Sequence, residues 1–261
     1  MKLSSISIAA LAVVTFVGVV SMPSELQGQP QAKEKAKAKA KAVQIKTTTI
    51  ATGLWHPWSL AWLPNGDMLV TERNGKLRRV RDGRLDAEPL GGVPAVHSVR
   101  LSGLMEVLPH PNFAQNQFVY LTYTKDVGPD QVATALARGK LVGNQLTEVK
   151  DLLVCDSWAG DGGSGSRLAW GKDGMLYMTT GASNGNAAQE GTSLRGKILR
   201  LRDDGTAAPG NPFAGKAGYK AEIFTMGHRN SLGLALNPVT GDMWSNENGP
   251  YGGDEVNIIE K

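Results

Sequence analysis

From about residue 54 onward, apolar residues come in short runs that alternate with polar ones and are punctuated by Asn-Gly, Asp-Gly and Pro. That pattern predicts short half-buried strands joined by tight turns, with no long amphipathic helix. Three stretches repeat one another: LAWLPNGDMLVTE at 60–72, LAWGKDGMLYMTT at 168–180 and LALNPVTGDMWSNE at 234–247. Each reads as strand, glycine turn, strand. A looser fourth copy starts at Leu104 and runs to Tyr123, and return strands are expected at 76–80, 135–141 and 197–201 as the outer part of each unit. A lone hairpin cannot bury both of its faces, so copies recurring every ~40–65 residues imply radial blades stacked around an axis. The reading is an all-β chain of the β-propeller type with about four blades present, a sandwich being the alternative. The long inserts at 183–195 and 206–220 are expected to project from one face, where propellers carry their sites.

Composition agrees with this class. Hydrophobic residues make up 41% of the 261, enough for a large core, and 32 glycines suit many turns. The formal net charge of +4 is confined to the start, where Lys2, Lys33, Lys35, Lys37, Lys39 and Lys41 face only Glu25 and Glu34, leaving 22 basic and 22 acidic residues beyond position 42. A neutral folded part argues against a nucleic-acid partner. Residues 1–22 read as an export signal or N-terminal anchor, with Lys2 before an apolar stretch from Ile6 to Val20 that is short for a membrane span. Cleavage and retention both stay open, so a membrane is reached only through that segment. Residues 23–45 form a Lys/Ala-rich linker, and 46–261 the partial propeller. The expected location is periplasmic or secreted. Cys155 is the only cysteine, which excludes an internal disulfide and reads as a small buried hydrophobe.

The densest polar cluster is GHRN at 227–230 followed by ENGP at 247–250 and GGDE at 252–255. Gly-Pro and Gly-Gly place backbone carbonyls irregularly, and Asp254 and Glu255 add charge, a set of hard oxygens that suits Ca²⁺. A loop with turn-capping acids is the alternative reading of the spacing. Together with LPHPNFAQN at 108–116 and GKILRLRDDGTAAPGNPF at 196–213, these motifs resemble the soluble glucose/sorbosone dehydrogenase family that uses pyrroloquinoline quinone (PQQ). The resemblance covers about 48–261. It implies a six-bladed propeller with PQQ and Ca²⁺ in a central mouth, oxidising an aldose at C1 by hydride transfer and passing electrons on to an acceptor the sequence does not name. By resemblance, Arg229 contacts the quinone carbonyl, Asn230 supports it, the carbonyls of Gly249 and Pro250 bind the calcium, and Asn248 and Asp254 lie nearby.

This chain departs from the family pattern. Gly163 stands where the family has its histidine base, and Ala182 where it has the acid that orients that base. Leu101 replaces a usual Gln or Glu, and Leu232 a polar residue. Losing a general base typically slows turnover by about 10²–10⁴-fold. His97, just ahead of Arg100, is a candidate replacement, with an exposed or capping histidine as the plainer account. The leading reading is a PQQ- and Ca²⁺-dependent sugar oxidoreductase. The alternatives are a non-catalytic sugar- or protein-binding propeller and, less well supported by the ligand types, a calcium-dependent lactonase. Two further blades are expected beyond Lys261.

Overall fold

Four antiparallel sheets follow one another along the chain in the computed structural model, which describes residues 45–160, 165–182 and 185–260. The expected signal and most of the linker lie outside those residues. The first sheet contains β1 (Pro57–Trp62), β2 (Met68–Glu72), β3 (Lys76–Arg81) and β4 (Arg84–Leu85), in that order. The second contains β5 (Leu104–Pro109), β6 (Phe118–Gly128), β7 (Gln131–Val142) and β8 (Gln145–Val154), with β9 (Trp158–Ala159) pairing on to β7. In the third are β10 (Leu168–Trp170), β11 (Leu176–Thr179), β12 (Lys197–Leu201) and β13 (Ile223–Met226); in the fourth, β14 (Ser231–Leu236), β15 (Met243–Glu247) and β16 (Glu255–Ile259). Each sheet is an up-and-down meander. The four are the blades of a propeller.

The repeated sequence explains the repeated shape. The hairpins β1–β2, β10–β11 and β14–β15 turn through Gly66, Gly174 and Gly241, whose φ angles of 89°, 74° and 75° are readily reached only by glycine. The looser second copy instead inserts a short helix, Phe113–Asn116, before β6. The expected return strands are β3, β7 and β12. They are third strands, with β4, β8 and β13 outside them. Those outer strands left little pattern: β4 has two residues, and β8 is half exposed and polar.

Apolar side chains fill the spaces between consecutive blades. Leu69 and Leu77 of the first blade pack with Leu104 and Leu121 of the second; Tyr120 and Leu136 pack with Leu176 and Leu199 of the third; Tyr177 and Ile198 pack with Met243 of the fourth. A polar joint recurs beneath the inner strands. Strands β1 and β5 shift register near the start, and in the first three blades a buried threonine of the second strand accepts an N–H within or just before the inner strand. Thr71 accepts from Ser59 (3.0 Å), Thr122 from Glu106 (3.1 Å) and Thr179 from Arg167 (2.9 Å). The Thr71 hydroxyl then donates to the Met105 carbonyl of the next blade (2.6 Å), and Thr179 to that of Ser231 (3.1 Å). Glu106 lies at this level as well. It is buried, ion-paired with Arg167 (2.9 Å) and bonded by the Ser59 hydroxyl, so one carboxylate joins three blades. Burial raises its pKa above the ordinary range against the attraction of Arg167.

The outward faces of the first and fourth blades are apolar and uncovered among the described residues. Leu60 and Trp62 are 56% and 60% exposed, and Val256 and Ile258 are 69% and 49% exposed. Of the two expected inserts, the described part of the first joins β11 to β12 and the second joins β12 to β13, and the two meet where the Lys220 N–H donates to the Gly191 carbonyl (2.9 Å).

Candidate functional site

The connection from β13 to β14 carries GHRN across the end of the propeller at which all four inner strands begin. Gly227 donates to the Ala188 carbonyl (2.9 Å), His228 to that of Gly196 (3.1 Å), and Ala182 to that of Arg229 (2.7 Å), so the segment is fixed against the third blade. The fit at Gly196 requires glycine. Its φ is 65°, and a β-carbon there would stand 2.4 Å from the His228 carbonyl. The neighbouring 183–195 insert is tied down by Lys197, a fully buried residue whose ammonium donates to the carbonyls of Ala187 (2.7 Å), Ala188 (3.0 Å) and Arg195 (2.8 Å).

Glu247, at the end of β15, is the hub. Its carboxylate accepts the Arg229 N–H (2.6 Å), pairs with His228 Nδ1 (2.9 Å) and accepts the Asn257 amide (3.1 Å). Burial works to raise its pKa, but the hydrogen bond and charge of His228, with the backbone donors, hold it below the usual glutamate value. His228 Nε2 lies 2.8 Å from the Thr225 hydroxyl, so both ring nitrogens are engaged. This hub went unassigned in the sequence reading although a signal for it was present. Glu72 closes the first repeat as Glu247 closes the last, and it accepts the Trp55 N–H (2.8 Å) two residues before β1, just as Glu247 accepts that of Arg229 two residues before β14.

The residues expected to form the mouth come together. Arg229 Nη1 donates to the Asn248 carbonyl (3.0 Å), and the Asn248 amide oxygen, in the orientation that satisfies its surroundings, accepts from the same nitrogen at 2.9 Å. Gly249 follows directly. Its N–H donates to Asp254 Oδ1 (2.9 Å), and a β-carbon there would lie 1.9 Å from the Gly252 carbonyl, so this turn closes only around glycine. The carbonyls of Gly249 and Pro250 accept no hydrogen bond from the described residues. Asn230 is buried, and its amide oxygen accepts the Gly165 N–H (2.8 Å), joining the entrances of the third and fourth inner strands. Of the departures, Gly163 lies outside the described residues. Ala182 is buried behind Arg229, while Leu101 and Leu232 are 61% and 40% exposed.

Comparison with known proteins agrees with this architecture. Residues 54–261 match the family described as Glucose / Sorbosone dehydrogenase. Aldose sugar dehydrogenase YliI of Escherichia coli is 39% identical over 213 residues, covering 79% of this chain and 57% of its own length. A Synechocystis protein designated slr1608 is 42% identical over 240 residues, covering 84% and 58%. The structure of the PQQ-bound form of aldose sugar dehydrogenase from Streptomyces coelicolor superposes with a TM-score of 0.68 at 33% identity, covering 82% of this chain and 62% of that one. The chain thus spans somewhat over half the length of the curated relatives it matches. With its blades, its mouth motifs and these likenesses taken together, the chain belongs to the glucose/sorbosone dehydrogenase family.

Proposed function

We propose that this chain acts as a PQQ-dependent oxidoreductase that removes a hydride from C1 of an aldose or related sugar with the help of Ca²⁺, in the periplasm or outside the cell. One observation carries the reading: a guanidinium anchored on the Asn248 carbonyl stands beside a Gly-Pro turn whose two carbonyls accept no hydrogen bond from the described residues. The donor set fits the groups. Two neutral oxygens near the Asp254 carboxylate suit a hard divalent cation, and a delocalised cation with unused donors suits an anionic quinone. PQQ, when bound, would supply the two-electron acceptor. The chain's own residues would then bind and orient. Arg229 would face the developing negative charge, with Glu247 and His228 fixing its backbone so that no reorganisation is needed as charge appears. Asn230 would hold the adjoining entrance of the third blade in register. The aldose, the electron acceptor and export through residues 1–22 belong to the same proposal.

Calorimetric titration of the 261-residue chain with PQQ, with and without Ca²⁺, tests it. Saturable binding that needs Ca²⁺ and weakens at least tenfold in Arg229→Ala is expected; no PQQ binding under either condition refutes it. The exposed Leu101 and the buried Ala182 favour a second reading, a sugar-binding propeller without redox chemistry. Sugar binding without PQQ uptake in the same titration selects that reading.

A further inference from the structure

A histidine–carboxylate dyad stands on the mouth side of the second blade, apart from the cluster around Arg229. His97 Nδ1 lies 2.7 Å from Asp126 Oδ1. Strand β6 continues past the start of β5, and its far edge is occupied by β7 as far as Gly128. On the near edge, Thr124 N–H bonds to the Gly103 carbonyl (2.9 Å), but the Thr124 carbonyl is taken by the N–H of His97 (2.9 Å). His97 therefore continues the ladder of β5, the innermost strand, and residues 98–102 form an excursion bearing the exposed Leu101.

The rung from the Thr124 N–H to the Gly103 carbonyl recurs around the mouth, and His97 adds to it by donating to the carbonyl of the same Thr124. Arg73 N–H bonds to the His56 carbonyl in the first blade (3.2 Å) and Asn248 N–H to the Asn230 carbonyl in the fourth (3.4 Å). His97 thus occupies, on its own blade, the level that Asn230 and Asn248 occupy on theirs. It differs from the other histidines. His228 has both nitrogens engaged, His110 is bonded within its turn at the opposite end of β5, and His56 has no carboxylate partner among the described residues. His97 Nε2 has no hydrogen-bond partner among the described residues. Of the charged groups nearby, Lys125 is bound to Asp151, Lys150 lines the same cavity as Asp126, and Arg73 donates to the Arg100 carbonyl (2.6 Å); Asp126 is the carboxylate on the ring.

We propose that His97, oriented by Asp126, accepts the hydroxyl proton of the substrate during its oxidation. This inference rests on the function proposed above. Removing a hydride from a carbinol carbon forms a carbonyl only if the hydroxyl proton also leaves. In balanced form, the carbinol C–H bond breaks with its electron pair going to the ortho-quinone cofactor, the O–H bond breaks with its proton going to His97 Nε2, and the C=O bond closes; His97 later releases that proton to water. Asp126 is the positioning residue, since a carboxylate on Nδ1 fixes the tautomer with Nε2 free to accept.

The experiment has two arms on the 261-residue chain. In the first, ring-nitrogen NMR of the metal- and quinone-free protein follows His97 on addition of glucose and of gluconolactone. The Nε2 resonance should shift in the wild type, and in Asp126→Asn the tautomer signature should change. In the second, the PQQ- and Ca²⁺-loaded protein is assayed across pH. Wild-type kcat/KM should fall on the acid side with the midpoint that NMR assigns to His97, and His97→Gln should lose that limb and about 10²–10⁴-fold in kcat/KM with unchanged calorimetric affinity for PQQ. An Nε2 resonance indifferent to sugar, or a His97→Gln enzyme that turns over normally with PQQ bound, overturns the role of His97 and leaves the proposed function standing. Failure of the wild type to take up PQQ removes both.

Discussion

Glu247→Gln is the most informative single change at the hub. The carboxylate accepts three donors, from the Arg229 backbone, His228 and Asn257, at 2.6, 2.9 and 3.1 Å, and its side chain is only 8% exposed. An amide keeps one acceptor oxygen and turns an N–H₂ toward either the Arg229 N–H or the His228 ring, so at least one charge-assisted bond becomes a clash of donors. Such bonds are each worth about 1.5–3 kcal/mol, and neighbouring ones do not add, so a loss of about 3 kcal/mol is expected. For a domain of this size that is a fall in Tm of about 6–12 °C. The pH dependence gives a second check. Because the folded pKa of Glu247 is depressed, its contribution is fully present above the unfolded glutamate value and is lost as pH falls through the folded pKa. The wild type should therefore lose more stability than Glu247→Gln on going from pH 7 into the acid range. Urea unfolding at both pH values measures this. Equal midpoints for the two proteins at pH 7, or parallel losses on acidification, would refute the assignment of Glu247 as the anchor.

Other changes probe the frame. Thr71→Val removes the acceptor for Ser59 and the donor to Met105, and should cost about 1–3 kcal/mol in urea unfolding. Glu106→Ala strands Arg167 beneath the mouth and should cost about 3 kcal/mol by the same measurement. Lys197→Met frees three carbonyls, and amide exchange should quicken across residues 185–195 while β15 is unaffected. Cys155 is buried with its thiol pushed up to about 12, so alkylation at pH 8 should be negligible until denaturant is added.

The inner hairpins were legible in the sequence because their constraint is local: glycine at a left-handed turn position, flanked by residues that alternate between core and partner strand. The outer strands were not, since half of β8 faces solvent and β4 is held by only two residue pairs. At the site, the motifs pointed to Arg229 and the Gly249–Pro250 turn, and Arg229 lies against Asn248, the residue just before that turn. Glu106 and Glu247 escaped notice because a glutamate's importance here comes from what converges on it across blades, from positions up to 61 residues away. His97 was visible as a candidate, but its carboxylate, 29 residues on, was not.

The glutamates at the ends of β2 and β15 grip main-chain amides and not the side chains of the residues they hold. Trp55 and Arg229, one a neutral indole and the other a fixed cation, therefore sit on the same scaffold in two blades. A propeller assembled this way separates the support of a position from its chemistry, so new reactivity at its rim requires exchanging a single side chain while the joinery beneath stays as it is.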